Sequence, residues 1–106
     1  MAKIKVRYFG RFRRLLGKME EEYEVKDGDT LGDLLLKFVP ERHVEKSKNW
    51  KEEIFRMARG EIVFDKNGTP ILDKYVIILM KGKSPSLSYR LRNGDKVAIL
   101  LPIGGG

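Results

Sequence analysis

The sequence closes on Ile103-Gly104-Gly105-Gly106, and there its residue types could do chemistry. With Gly at 11 of 106 positions, three closing glycines arise by chance in roughly one such chain in a thousand. Glycine has no Cβ, so a partner's backbone can close tightly around it, and a Gly-Gly end can thread a narrow channel. The thread presents one unhindered group, the α-carboxylate of Gly106, ionised at neutral pH. A carboxylate is a poor electrophile. Transfer of AMP from ATP would make it a good one, and sulfide or an amine could then attack the acyl carbon. The plain alternative is a frayed terminus. The apolar run 97–101 argues against it, because it leads into the tail through Pro102 with no spacer and so fixes the exit.

Little else in the chain competes for chemistry. Cys is absent. That excludes a thiolate metal site, a Cys nucleophile and a persulfide carried on this chain, so any sulfur must come from sulfide or a partner's persulfide. The single His43 gives no His-rich metal site, and no bound metal or cofactor is expected. His43 and the single Trp50 fall in the charged stretch 41–59 and are expected to pack or to face solvent. Lys81-Gly82-Lys83 lacks the Walker pattern and reads as a turn. No apolar run approaches the roughly 18 residues of a membrane span. Met1-Ala2-Lys3-Ile4-Lys5 has no apolar h-region. A small cytoplasmic domain without a membrane partner is the expectation.

The net charge is +7, unevenly placed. Residues 1–18 hold seven bases and no acid, 19–40 are net −5, and 81–106 are net +4. One reading is a footprint for nucleic acid or an acidic protein. The other is a solvated surface whose opposite charges pair across neighbouring strands. No aromatic–basic RNA motif accompanies the charge, so nucleic acid is not the expected partner. A basic RNA-binding module stays as the alternative of another class.

The elements must position the tail. Ile4, Val6 and Tyr8 alternate with Lys5 and Arg7, the period of a half-buried strand, and Phe9 is out of phase with them. Phe12, Leu15 and Leu16, closed by Gly17, predict a short helix. Met19, Glu21, Tyr23 and Val25 alternate in a less apolar strand near a sheet edge, and Asp27-Gly28-Asp29 turns the chain. Thr30-Leu31-Gly32-Asp33 predicts a capped helix. Its stripe is Leu31, Leu34, Leu35 and Phe38, and Pro40 is expected to end it. A second helical stretch is expected over 41–59, stopped by Gly60. Residues 61–65 read as a strand, with Lys66-Asn67-Gly68 as a hairpin turn. Residues 75–80 and 97–101 are nearly all apolar, the signature of strands covered on both faces. Leu87 and Leu91 anchor the connection between them, which Asn93-Gly94-Asp95 closes. One apolar helix stripe cannot bury itself and must lie across a mixed sheet. The expectation is an α+β roll: a domain of residues 1–101, with first and last strands parallel neighbours, and a Gly-rich tail of 102–106.

The close Asn93-Gly94-Asp95-Lys96-Val97-Ala98-Ile99-Leu100-Leu101-Pro102-Ile103-Gly104-Gly105-Gly106 resembles that of the MoaD/ThiS sulfur carriers. The start Ile4-Lys5-Val6-Arg7-Tyr8-Phe9-Gly10, with Leu15-Leu16-Gly17, is similar to the family's first strand and short helix. Phe64-Asp65-Lys66-Asn67-Gly68 and Met80-Lys81-Gly82-Lys83 resemble turns of its longer archaeal members. Leu101 stands where the family often has Pro, and Lys81 where it usually has Asn. The resemblance implies the β-grasp fold of ubiquitin and activation by an E1-like adenylating enzyme that uses ATP. It implies a C-terminal thiocarboxylate on Gly106, threaded through Gly105, Gly104, Ile103 and Pro102. The acceptor would be the large subunit of a molybdopterin synthase or another sulfur acceptor. For the archaeal relatives that act as protein modifiers, it would be a target lysine. Phe9 and Leu100 match positions that contact the synthase's large subunit.

Overall fold

A computed structural model describes residues 1–102. The chain runs β1 (Ala2–Tyr8), α1 (Gly10–Leu16), β2 (Glu20–Val25), α2 (Leu31–Asp33), a π-helical turn (Leu34–Phe38) and α3 (Val39–Arg42). A 3-10 turn (Val44–Lys46), α4 (Ser47–Ile54), β3 (Met57–Ala58), β4 (Glu61–Ile62), β5 (Ile77–Leu79) and β6 (Lys96–Leu100) follow. The main sheet has the order β2-β1-β6-β5. β1 and β6 are parallel central neighbours, with Val6 opposite Val97 and Tyr8 opposite Ile99, as expected. The remaining pairs are antiparallel. Every fully buried strand residue lies on one side: Ile4, Val6, Tyr8, Tyr23, Val25, Val97 and Ile99. That side packs on the helical stripe Leu31, Leu34, Leu35 and Val39.

Local chemistry sets the helix starts and turns. Asp33 N–H donates to Thr30 Oγ1 at 3.1 Å and Thr30 N–H donates to Asp33 Oδ2 at 3.0 Å, a complete capping box. Gly17 takes φ +69° and stops α1, its N–H donating to the Arg13 carbonyl at 2.8 Å. The two Gly-Asp turns are copies of each other. Lys26 and Arg92 N–H each donate at 2.8 Å to the carboxylate three residues on, Asp29 and Asp95.

Pro40 does not end the main helix. Helical backbone runs on to Arg42 because the preceding turn is π-helical, with Val39 N–H donating to the Leu34 carbonyl. The next such bond, to the Leu35 carbonyl, has no donor because Pro40 lacks an N–H. Trp50 supplies it: its indole Nε1–H donates to Leu35 O at 2.8 Å. Trp50 is fully buried, edge-on to Tyr8 at 5.9 Å and Phe12 at 5.6 Å. It packs, as expected.

The helix expected over 41–59 is shorter. It breaks at His43, and α4 stops at Ile54. Arg59 (φ +55°) and Gly60 (φ +79°) form a two-residue hairpin between β3 and β4, so Gly60 serves a turn and caps no helix. Residues 61–65 are only partly strand: β4 is followed by an isolated Phe64–Pro70 bridge around the expected turn. β5 is a three-residue edge strand, not a strand covered on both faces. Its outward Ile77 and Leu79 are half-buried.

The acidic edge answers the first basic segment. Lys3, Lys5 and Arg7 stand opposite Glu24, Glu22 and Glu20. Glu20 pairs with Arg7 at 3.2 Å and Lys5 at 3.8 Å, and Arg11 pairs with Glu53 at 3.0 Å. Among the described residues no helix is long and apolar enough to cross a membrane.

Candidate functional site

β6 carries the chain out of the core. Val97 and Ile99 point inward and are buried, while Ala98 and Leu100 lie on the outer face, half-buried. Phe9 N–H donates to the Ile99 carbonyl at 3.1 Å and fixes the end of β1 to the end of β6. Continuing the parallel register sets Phe9 beside Leu100 on the outer side. Phe9 is 42% exposed, so the following helix does not cover it. Its place just before α1 explains this: Phe9 is the N-cap in extended backbone, and Phe12 and Leu16 take the inward face. The two residues expected at a partner surface are thus brought together, flanked by half-buried Ile77, Leu79 and Ala98.

Leu101 is half-buried and Pro102 exposed, where the chain leaves the sheet. A cleft of about 380 Å³ opens at this exit, lined by Arg11, Glu53, Asp73, Tyr75, Leu101 and Pro102. Tyr75 is 59% exposed, an aromatic residue beside the exit. The apolar run 75–80 drew it into a buried strand. The signal that separates it is Asp73: Tyr75 N–H donates to Asp73 Oδ2 at 3.0 Å, a local Asx turn that delays the strand. Met19, 59% exposed, lies with Phe9, Arg7 and Arg13 around a neighbouring depression. Ile103, Gly104, Gly105 and Gly106 lie outside the described residues.

A second polar concentration sits on the other side of the sheet. Glu21 points inward from β2, its side chain 8% exposed. Its Oε1 accepts from Tyr8 OH at 2.9 Å and Tyr23 OH at 2.9 Å, and lies 2.8 Å from His43 Nε2. Arg42 stacks over the Tyr23 ring at 3.8 Å and donates to the Glu22 carbonyl at 2.8 Å. Burial by itself raises the Glu21 pKa. The hydrogen bonds from His43, Tyr8 and Tyr23 outweigh it and hold the carboxyl below its ordinary value. Burial, with the neighbouring carboxylate, pushes both phenols far up, so both stay protonated donors. Among the described residues no buried side-chain polar atom lacks a partner, and no cluster of His, Asp or Glu could hold a metal ion. This cluster ties β1, β2 and the end of α3 together and has no free group for catalysis.

A mixed sheet wrapped on one helix, delivering its last central strand to a glycine tail, defines a ubiquitin-like β-grasp carrier. Residues 6–106 match the ThiS family, and the chain belongs to it. It is 31% identical to a Pyrococcus furiosus protein described as molybdopterin converting factor, subunit 1. The match covers 97% of this chain and all of that one, with a TM-score of 0.65. Small archaeal modifier protein 1 of Methanosarcina acetivorans is 24% identical over all of this chain and 98% of its own, with a TM-score of 0.67. That of Haloferax volcanii is 17% identical over 97% of this chain and all of its own, at 0.66. These last two show the shared fold. No curated protein sequence matches the chain.

Proposed function

We propose that this chain is a sulfur carrier of the kind that serves as small subunit of a molybdopterin synthase, with Gly106 as the reacting end. An E1-like enzyme binds the ATP. The Gly106 carboxylate oxygen attacks the α-phosphorus of ATP and pyrophosphate leaves. Sulfide attacks the acyl carbon directly, AMP leaves, and the end becomes a thiocarboxylate. From a partner's persulfide the outer sulfur attacks and AMP leaves. A second thiol of the partner then cleaves the resulting acyl disulfide, releasing the thiocarboxylate and leaving a disulfide on the partner. The chain has no Cys, so the sulfur is delivered from outside. Gly105 and Gly104 let the tail pass a tight channel, and Pro102 and Ile103 set its direction. Phe9 and Leu100 are the docking residues for the activating enzyme and then for the sulfur acceptor.

One observation carries this reading. The strand feeding the tail is hydrogen-bonded on both sides, to β1 and to β5, so Pro102 leaves from a central strand, with Tyr75 in the cleft at the exit and Phe9 and Leu100 on the outer face. A pre-organised exit lowers the entropy lost when the tail enters a channel. The test is the intact mass of the protein isolated from its own cells. A thiocarboxylate on Gly106 is the expected species. Conjugates to target-protein lysines would replace this reading with a protein modifier, and a chain extending past Gly106 would overturn both.

A further inference from the structure

The two basic segments differ. Bases of residues 1–18 meet acids: Lys5 and Arg7 pair with Glu20, and Arg11 with Glu53. Residues 81–96 hold five bases, Lys81, Lys83, Arg90, Arg92 and Lys96. Among the described residues none of the five is in an ion pair. Their only acid, Asp95, is engaged locally, its Oδ2 accepting from Tyr89 OH at 3.0 Å and Arg92 N–H at 2.8 Å. Ion pairs therefore engage Lys5, Arg7 and Arg11 at one end of the charge pattern and, among the described residues, none of the five bases at the other.

Lys81, Lys83 and Lys96 line one cleft of about 340 Å³, with Met80, Ser84, Pro85, Tyr89 and the locally engaged Asp95 in its walls. The turn that presents two of them is strained. Met80 and Lys83 exchange backbone bonds at 2.8 and 3.0 Å across a two-residue loop, with Lys81 at φ +52° and Gly82 at φ +74°. Such a turn prefers Asn-Gly, and a lysine at positive φ is uncommon. The Arg59-Gly60 turn has the same backbone, so what sets Lys81 apart is the company of Lys83 and Lys96 around one cleft. The apolar part of its walls, Met80, Pro85 and Tyr89, is half-buried, and the exposed large apolar residues, among them Phe9, Met19, Phe64 and Tyr75, lie outside it. A protein interface is organised around apolar anchors, whereas a phosphate backbone is held by cations and hydroxyls.

We propose that the Lys81–Lys83–Lys96 cleft docks the phosphodiester backbone of RNA. Lys96 opens β6 and Leu100 closes it, about 13 Å apart at strand rise, so this site and the tail exit can be engaged together. The site stands independently of the chemistry at Gly106.

The test is fluorescence anisotropy of a labelled oligouridylate of about 20 nucleotides, titrated with the full chain between about 50 and about 200 mM salt. The Lys81→Gln/Lys83→Gln/Lys96→Gln variant is expected to bind at least about tenfold more weakly. Its log–log salt slope should be shallower by about 2, three contacts' worth for a single strand. Lys46→Gln/Lys48→Gln/Lys66→Gln loses the same charge from exposed positions elsewhere and should bind within about threefold of the wild type. Lys81→Asn relieves the turn and should raise Tm while weakening binding. Equal losses in the two triple variants, or no binding by the wild type, overturn the proposal. So does displacement by polyglutamate at equal charge concentration, which would make the cleft a site for acidic protein.

Discussion

The Glu21 cluster and the tail exit are both dense in chemically capable side chains, and they are built in opposite ways. At Glu21 every donor meets an acceptor inside the fold: two tyrosines, a histidine and an arginine surround one carboxylate. At the exit, Tyr75 stands 59% exposed in the wall of a cleft, and Phe9, 42% exposed, lines a neighbouring depression. A satisfied buried network fixes one arrangement of strands and helix. Exposed apolar residues around an open exit are groups the fold leaves for another molecule. Titratable residues in close array are thus a poor guide to function in this chain, and unpartnered groups are a better one.

The largest effect on stability is expected from Glu21→Ala. It leaves the buried Tyr8 and Tyr23 hydroxyls only each other, 3.2 Å apart, so that one proton loses its acceptor, it unties His43, and it should cost about 3 kcal/mol in urea unfolding. Binding by the folded fraction should be unchanged, since the cluster lies on the helix-facing side. A loss of affinity in the folded fraction would break the comparison.

Trp50→Phe keeps most of the packing and removes the donor to the Leu35 carbonyl. Thermal or urea unfolding should show a loss of about 1–3 kcal/mol, the cost of an unsatisfied buried acceptor. A negligible loss would mean that Pro40 needs no substitute donor.

The acid limb of stability sharpens the same point. The folded-state pKa of Glu21 lies below its unfolded value. Its contribution is therefore fully present above the unfolded carboxylate pKa, about 4.3, and is lost as pH falls through the folded value. Glu21→Gln should flatten the fall in stability below about pH 5 relative to the wild type. An unchanged acid limb would show that other carboxylates set it.

Phe9→Ala and Leu100→Ala should change stability least, by about 1 kcal/mol or less. They should weaken partner binding by about tenfold or more, as interface anchors do. Several kcal/mol of destabilisation with unchanged affinity would place them in the core.

Much of this was legible in the sequence because it is local. Thr30 and Asp33 form their capping box within four residues, and Gly17 and the two Gly-Asp turns act through their own backbone. The parallel pairing of β1 and β6 followed from two apolar strands at opposite ends of the chain. What misled was decided at long range or by residues with two uses. Pro40 reads as a stop, but Trp50, ten residues on, replaces its missing donor. Gly60 fits a helix stop and a hairpin equally well, since both want positive φ. Glu21 did give a signal. It falls on the inward side of an alternating strand, where a carboxylate must find partners. The single His43 was the candidate that the sequence left without a role.

The central claim is that the folded domain is a handle and Gly106 the reacting end. ATP–pyrophosphate exchange with an adenylating enzyme from the same source tests it most directly, comparing the full chain with one lacking Gly105 and Gly106. The shortened chain should unfold within a few tenths of a kcal/mol of the full one, as surface changes do. Its carboxylate would sit up to about 7 Å short, well outside the geometry for in-line attack on a nucleotide phosphate. The full chain should support exchange and the shortened one none. Full exchange by the shortened chain would contradict the claim.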